Sequence, residues 1–269
     1  PEPTLPEPEP APTPTVVAQP KTPAPAPTAK PPAATTPPAK REVPEPSPPE
    51  APPRPIQVAA VVPKDVPMYA PGALANTAAV RLDGEARSLG AAAPTPQALG
   101  PLHVGASSRE SPNLYWFLPE ATASPVEVTI TSPDAVAPLL EMTVPGPLEA
   151  GVHRVSLAEH RVRLDPGTDY RWFVALVRDP ERRSQDVVSV AGIRYTPASA
   201  ELSARLAAAP LGSTAHLYAE SGLWYDAFDQ LSSWLAAERG SATLRDHRAA
   251  LLDQVGLDQA AAFERAAAE

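Results

Sequence analysis

Between Leu99 and Tyr195 the hydrophobic positions come in short runs with the two-residue period of β-strands, separated by proline- and glycine-containing breaks. Leu114-Tyr115-Trp116-Phe117-Leu118 is apolar throughout and lies between Pro112 and Pro119, the pattern of a strand buried on both faces. Val126, Val128 and Ile130 alternate with Glu127, Thr129 and Thr131, which predicts a strand with one face toward water. Further strands are expected at Leu139–Val144, Val152–Leu157, Arg171–Val177 and Asp186–Tyr195, the third being the most apolar in the chain. Six or more strands at this spacing imply a sheet-on-sheet core.

After Thr196-Pro197, expected as N-cap and first helical residue, the period becomes helical. Helices are predicted at Glu201–Ala209, Ser213–Ser221, Leu223–Glu238, Thr243–Val255 and Asp258–Ala268, with Gly222 and Gly256 as breaks. On the long third helix Trp224, Ala227, Leu231 and Trp234 form one apolar stripe. The spacing of Ala215, Tyr218, Gly222, Trp224, Ala227 and Leu231 is similar to one tetratricopeptide repeat; no second repeat is evident, so the pair must bury its stripe elsewhere, most simply on the sheets.

Composition sets the first part of the chain apart. Of 39 prolines, 24 fall within residues 1–70, where Tyr69 is the single aromatic. Such a segment cannot bury enough apolar surface to offset its ordering entropy, so residues 1–66 are expected to be a disordered, polyproline-rich tether. Residues 67–98 are transitional, with Asp83-Gly84 as a candidate hairpin turn. The chain begins at Pro1, consistent with Met removal, trimming, or loss of a leader or anchor, and no run approaches the length of a membrane-spanning helix.

Charge and missing residue types close several function classes. The net charge of −9 belongs to the part beyond the tether, which disfavours nucleic acid and anionic membrane surfaces. All four lysines (Lys21, Lys30, Lys40, Lys64) precede residue 65, so a phosphate-loop or Schiff-base lysine is excluded from the folded part. Zero cysteines exclude thiol catalysis, zinc–thiolate sites and disulfides. His216 and Glu220 are four apart on a predicted helix but lack a third ligand, and Ser221-Gly222 lacks the frame of a nucleophile elbow. No metal, cofactor or catalytic residue is therefore assigned.

The candidate binding residues are Arg171, Glu220, Trp224, Tyr225 and Asp226, at the junction of strands and helices. Two readings stand side by side: a polar-aromatic groove lined by these side chains, or interdomain packing around a buried Glu220–Arg171 pair. Asp226 and Asp229 can be read as paired carboxylates, or Asp226 as a first-turn charge complementing its helix dipole.

Leu164-Asp165-Pro166-Gly167-Thr168-Asp169-Tyr170 resembles the tyrosine corner of immunoglobulin-like and fibronectin type III modules, which implies that the Tyr170 hydroxyl bonds back to the upstream backbone. Over about residues 99–263 the chain resembles the bacterial family called domain of unknown function 928. The resemblance rests on Leu114–Pro119, on Tyr170-Arg171-Trp172-Phe173 followed by Asp179-Pro180 and Asp186, on Gly192-Ile193, on Leu217–Ala227 and on Leu251–Leu257. Where the family often carries a cysteine after its Tyr-Arg-Trp strand, this chain has Arg178. The resemblance implies an exported protein with a signal peptide.

The expected fold is thus a β-sandwich of the immunoglobulin or fibronectin III kind over residues 99–196, followed by a small α-helical subdomain over 197–269 packed on it. The expected function is an exported, non-catalytic binding or scaffolding module in the bacterial cell envelope, periplasmic or extracellular, with a protein partner. The alternative is an envelope glycan hydrolase, or a carbohydrate-binding module, using Glu220 and Asp226 as its carboxylates.

Overall fold

The computed structural model describes residues 57–82 and 94–268. The tether up to residue 56 and the Asp83-Gly84 turn lie outside the described residues. Among the described residues there are eight strands: β1 (Gln97–Ala98), β2 (Gly105–Ser107), β3 (Asn113–Leu118), β4 (Val126–Thr131), β5 (Leu140–Val144), β6 (Gly151–Ser156), β7 (Asp169–Leu176) and β8 (Val187–Tyr195). They form a three-stranded sheet in the order β1-β3-β6 and a five-stranded sheet in the order β2-β8-β7-β4-β5. All pairings are antiparallel except β2 on β8, where Gly105 faces Ile193.

The burial patterns follow from the sequence periods. Val126, Val128 and Ile130 are fully buried while their neighbours on β4 are half-exposed, and β3 is buried from Leu114 to Leu118. β7, the most apolar strand by sequence, alternates, with Tyr170, Trp172, Val174 and Leu176 inward and Arg171 exposed. Its apolar run is therefore two half-faces, because Phe173 and Ala175 sit on the outer side of the five-stranded sheet.

Five α-helices follow among the described residues: α1 (Ala200–Ala208), α2 (Thr214–Glu220), α3 (Trp224–Ala237), α4 (Ala242–Asp253) and α5 (Asp258–Ala266). The cap of α1 is Ser199, whose hydroxyl accepts from Leu202 N at 3.1 Å, rather than the expected Thr196. On α3 the apolar stripe is only part of the buried surface. Trp224, Tyr225, Asp226, Ala227, Phe228 and Asp229 are all buried in succession, which a helix surrounded by protein requires. One face of α3 packs Ala227 and Leu231 against Ala215 and Ala219 of α2, while Trp224, Tyr225 and Phe228 join the core shared by both sheets.

The tether and transitional boundaries need correction. Residues 57–82 run as a strap over the helices and onto the sheet. Val58 and Ala59 N–H groups donate to the Glu238 carboxylate, and Val62 is buried among α2, α3 and α4 side chains. Ala70 N donates to Ala219 O at 3.0 Å. Tyr69 stacks on His103 and bonds its Nε2 at 2.9 Å. The strap ends with buried Arg81, whose guanidinium donates to Gly100 O (3.1 Å), Val255 O (2.6 Å) and Gly256 O (3.0 Å). Low aromatic content misplaced the boundary because these anchors are mostly main-chain hydrogen bonds, which composition does not register.

Gly222 separates α2 from α3 with φ +78°, and a Cβ there would meet Ala70 O of the strap at 2.9 Å. Gly222→Val is therefore expected to lower stability by more than ~1 kcal/mol, since it combines backbone strain with a main-chain clash. Urea unfolding checks this; a midpoint equal to wild type would contradict the strap contact.

A polar lock at the sheet–helix junction and two clefts

The first turns of α3 are held to the strands by three consecutive recognition events. Tyr225 inserts its ring beside Gly100 and Gly105, where an added Cβ would lie 2.6 Å from its hydroxyl oxygen and 2.7 Å from Cε2 respectively. Its hydroxyl accepts from Trp172 Nε1 (3.0 Å) and donates to Gly192 O (2.9 Å), so burial raises its pKa without leaving the group unpaired. Asp226 accepts from Ser107 Oγ (3.1 Å) and Ser108 N (2.5 Å) at the end of β2. Asp229, one turn later, accepts from Arg109 Nη1 (2.5 Å), Asn113 Nδ2 (2.7 Å) and Tyr115 Oη (2.7 Å). Arg109 also approaches Asp226 with Nε at 3.7 Å, bridging the two carboxylates.

This geometry decides between the two sequence readings of Trp224, Tyr225 and Asp226: all are 0–1 % exposed and belong to the core. The buried Glu220–Arg171 pair of the packing reading does not form. Glu220 is exposed and pairs with Arg205 of α1 at 3.3 Å, while Arg171 is exposed on β7. Of the carboxylates named for the hydrolase alternative, Glu220 is exposed beside Arg205 and Asp226 is buried on Ser107 and Ser108. His216 is likewise engaged, through Nε2 to Asp65 O at 2.6 Å, and no group of three metal-ligating side chains occurs among the described residues. Periodicity missed Ser107, Ser108, Arg109 and Asn113 because β2 is three residues long and its flank reads as loop.

Two clefts open on the surface of the described residues. A 560 Å³ cleft opens on the outer face of the five-stranded sheet, lined by Arg171 and Phe173 of β7, Thr131 at the end of β4, Pro133, and Thr77 of the strap. Arg171 makes no ion pair among the described residues, whereas its neighbour Asp169 is paired with Arg194 at 2.6 Å. A second cleft, of 580 Å³, lies between β6, α3 and α4 and is lined by four arginines.

Burial is the leading influence on Asp226 and pushes its carboxyl up to about 6, partly opposed by the Ser108 N–H and Arg109. The folded state therefore holds a proton that the unfolded chain releases near pH 4. This contribution to stability is fully present below about pH 4 and is lost as pH rises through about 6. Between those values it should weaken by roughly 2–3 kcal/mol, with the sign opposite to that of a carboxylate whose pKa an ion pair lowers. Comparing urea midpoints of wild type and Asp226→Asn across pH 4–7 tests this: the difference between the two proteins should drift in favour of the variant as pH rises. A difference independent of pH would contradict it.

The family model for Domain of Unknown Function (DUF928) matches residues 77–264. No curated protein matches the chain. The matched span begins within the strap, before Arg81, and ends at Glu264 of α5, so it takes in both sheets, the polar lock and all four arginines of the second cleft. With well over half its length covered in this way, the chain belongs to the DUF928 family.

Proposed function

We propose that the chain is an exported, non-catalytic binding module, held in the bacterial cell envelope by its proline-rich N-terminal segment, that engages a protein partner through the cleft around Arg171. The observation that carries this reading is the cleft itself: an exposed guanidinium without an ion-pair partner among the described residues, set beside Phe173 on the outer face of a rigid sheet. Arginine next to an aromatic ring on a fixed strand suits a partner that brings both a carboxylate and an apolar side chain. Sites on rigid strands also lose little entropy on binding. The carboxylates a hydrolase would need are otherwise engaged: Asp226 and Asp229 are saturated by the lock, and Glu220 pairs with Arg205.

The same reading takes the two sheets as a sandwich of the immunoglobulin or fibronectin III kind, with the helices as a subdomain. Support comes from Tyr170 at the start of β7, whose hydroxyl accepts from Asp165 N at 3.0 Å, five residues upstream, as a tyrosine corner does. It comes also from a core that alternating residues of β4, β7 and β8 share with the buried run of β3. An envelope location rests on the tether composition and the family resemblance; among the described residues no helix is long and apolar enough to cross a membrane.

A photo-crosslinking residue at Phe173, in the full chain and a native envelope fraction, is expected to give a defined protein adduct. Arg171→Glu should reduce that adduct by about tenfold. A crosslinker at exposed Val136 should not give it. Equal adducts from both positions, or glycan hydrolysis by the purified chain, would overturn the reading.

A further inference from the structure

The second cleft carries an inference independent of the Arg171 surface, because the two share no residue. Apart from Lys64 in the strap, all lysines lie before residue 57, so the cationic chemistry of the sheets and helices rests on arginine and histidine. Four of the chain's 18 arginines line this one cleft in a protein of net charge −9. They come from separate elements: Arg154 from β6, Arg239 from the turn after α3, and Arg245 and Arg248 from α4.

Each guanidinium is positioned differently. Arg248 forms the floor; it is 8 % exposed, lies over the Phe228 ring at 5.6 Å, donates Nη1 to Ser232 Oγ at 3.3 Å and pairs through Nη2 with Glu264. Its Nε is a buried donor with no acceptor. Arg245 is held by the other oxygen of Glu264 (3.4 Å) and by Arg239 O (3.3 Å). Arg154 pairs with Glu159 at 2.9 Å, with both side chains about half exposed, and Arg239 pairs with no carboxylate among the described residues. Against four positive charges the cleft thus has two carboxylate partners, one of them, Glu264, buried and shared between Arg245 and Arg248. A single shared carboxylate orients two guanidinium forks without neutralising both, and the hydroxyls of Ser232 and Ser233 add donors on the α3 side.

We propose that this cleft is a binding site for an oxyanion-bearing small ligand, a phosphate or sugar carboxylate, gripped by Arg239 and Arg154 at the mouth and by Arg245 and Arg248 at the floor. Planar five-donor guanidinium groups match the oxygens of such groups bidentately, and their convergence from strand, turn and helix gives a fixed pocket rather than a diffuse basic surface. The volume, 580 Å³, exceeds one bare anion and suits a ligand with further atoms beyond its charged group.

The test is isothermal titration calorimetry on the full chain at fixed ionic strength. One arm uses inorganic pyrophosphate and the other trigalacturonate, so that phosphate and carboxylate chemistry are told apart. Saturable binding is expected in one arm with a dissociation constant below about 1 mM. The double variant Arg154→Gln/Arg239→Gln should weaken it by at least about tenfold. These two side chains are exposed and leave the Arg248–Glu264 floor in place, so the thermal midpoint of the double variant should stay with wild type. Arg205→Gln, on α1 outside the cleft, should bind as wild type does. Absence of saturable binding in both arms, or binding undiminished in the double variant, would overturn the proposal.

Discussion

The packing of the helices on the sheets depends on one side chain. Tyr225 enters a slot that exists only because positions 100 and 105 are glycine, and there its hydroxyl joins Trp172 of β7 to the Gly192 carbonyl of β8. A buried phenol is stabilising only when both its donor and acceptor capacity are met, and here both partners belong to the five-stranded sheet. The insertion fixes the rotation of α3 about its axis. With Tyr225 set, Asp226 must point toward β2 and Asp229, one helical turn on, toward Arg109 and β3. Three residue positions thereby engage both sheets, and the helices have no freedom to pack as a separate body.

The position of the two clefts follows from this lock. Orienting α3 places Phe228 under Arg248 and Ser232 beside it, which builds the floor of the arginine cleft. Arg81 of the strap then clamps the Gly100 carbonyl next to the Tyr225 slot and the carbonyls that follow α4, closing the helices onto the sheet from the other side. The cleft around Arg171 lies on the opposite side of β7 from its inward residues and inherits a rigid floor from the same sheet. Asp226 and Asp229 are taken up within this arrangement, whereas the guanidinium groups of Arg171, Arg154 and Arg239 stay exposed.

Much of this architecture was legible in residue patterns. Alternation over Val126–Ile130 and the apolar run over Leu114–Leu118 gave strands β4 and β3 with their burial, and Gly222 and Gly256 marked the helix breaks where positive φ is observed. Trp224 and Tyr225 were recognisable as special, but a pattern cannot tell a groove from a core when a helix is buried on most sides. Glu220 and Arg171 look like natural partners in composition, yet they lie on different elements with different neighbours. The strap escaped notice because proline-rich sequence and main-chain anchoring are compatible, and the arginine cleft because its members are spread over nearly a hundred residues of sequence. Long-range convergence of this kind has no local period to read.

The central claim is that the Tyr225 hydroxyl and the absence of a side chain at position 100 are two halves of one contact. A double-mutant cycle on urea unfolding measures it directly. In the wild-type background Gly100→Ala should cost about 1–3 kcal/mol, because its methyl would lie 2.6 Å from the hydroxyl oxygen. In the Tyr225→Phe background, where that oxygen is gone, the same substitution should cost less by about 1 kcal/mol or more. An equal cost in both backgrounds would show that Tyr225 does not fill the glycine slot, and would contradict the account of how the helices are joined to the sheets.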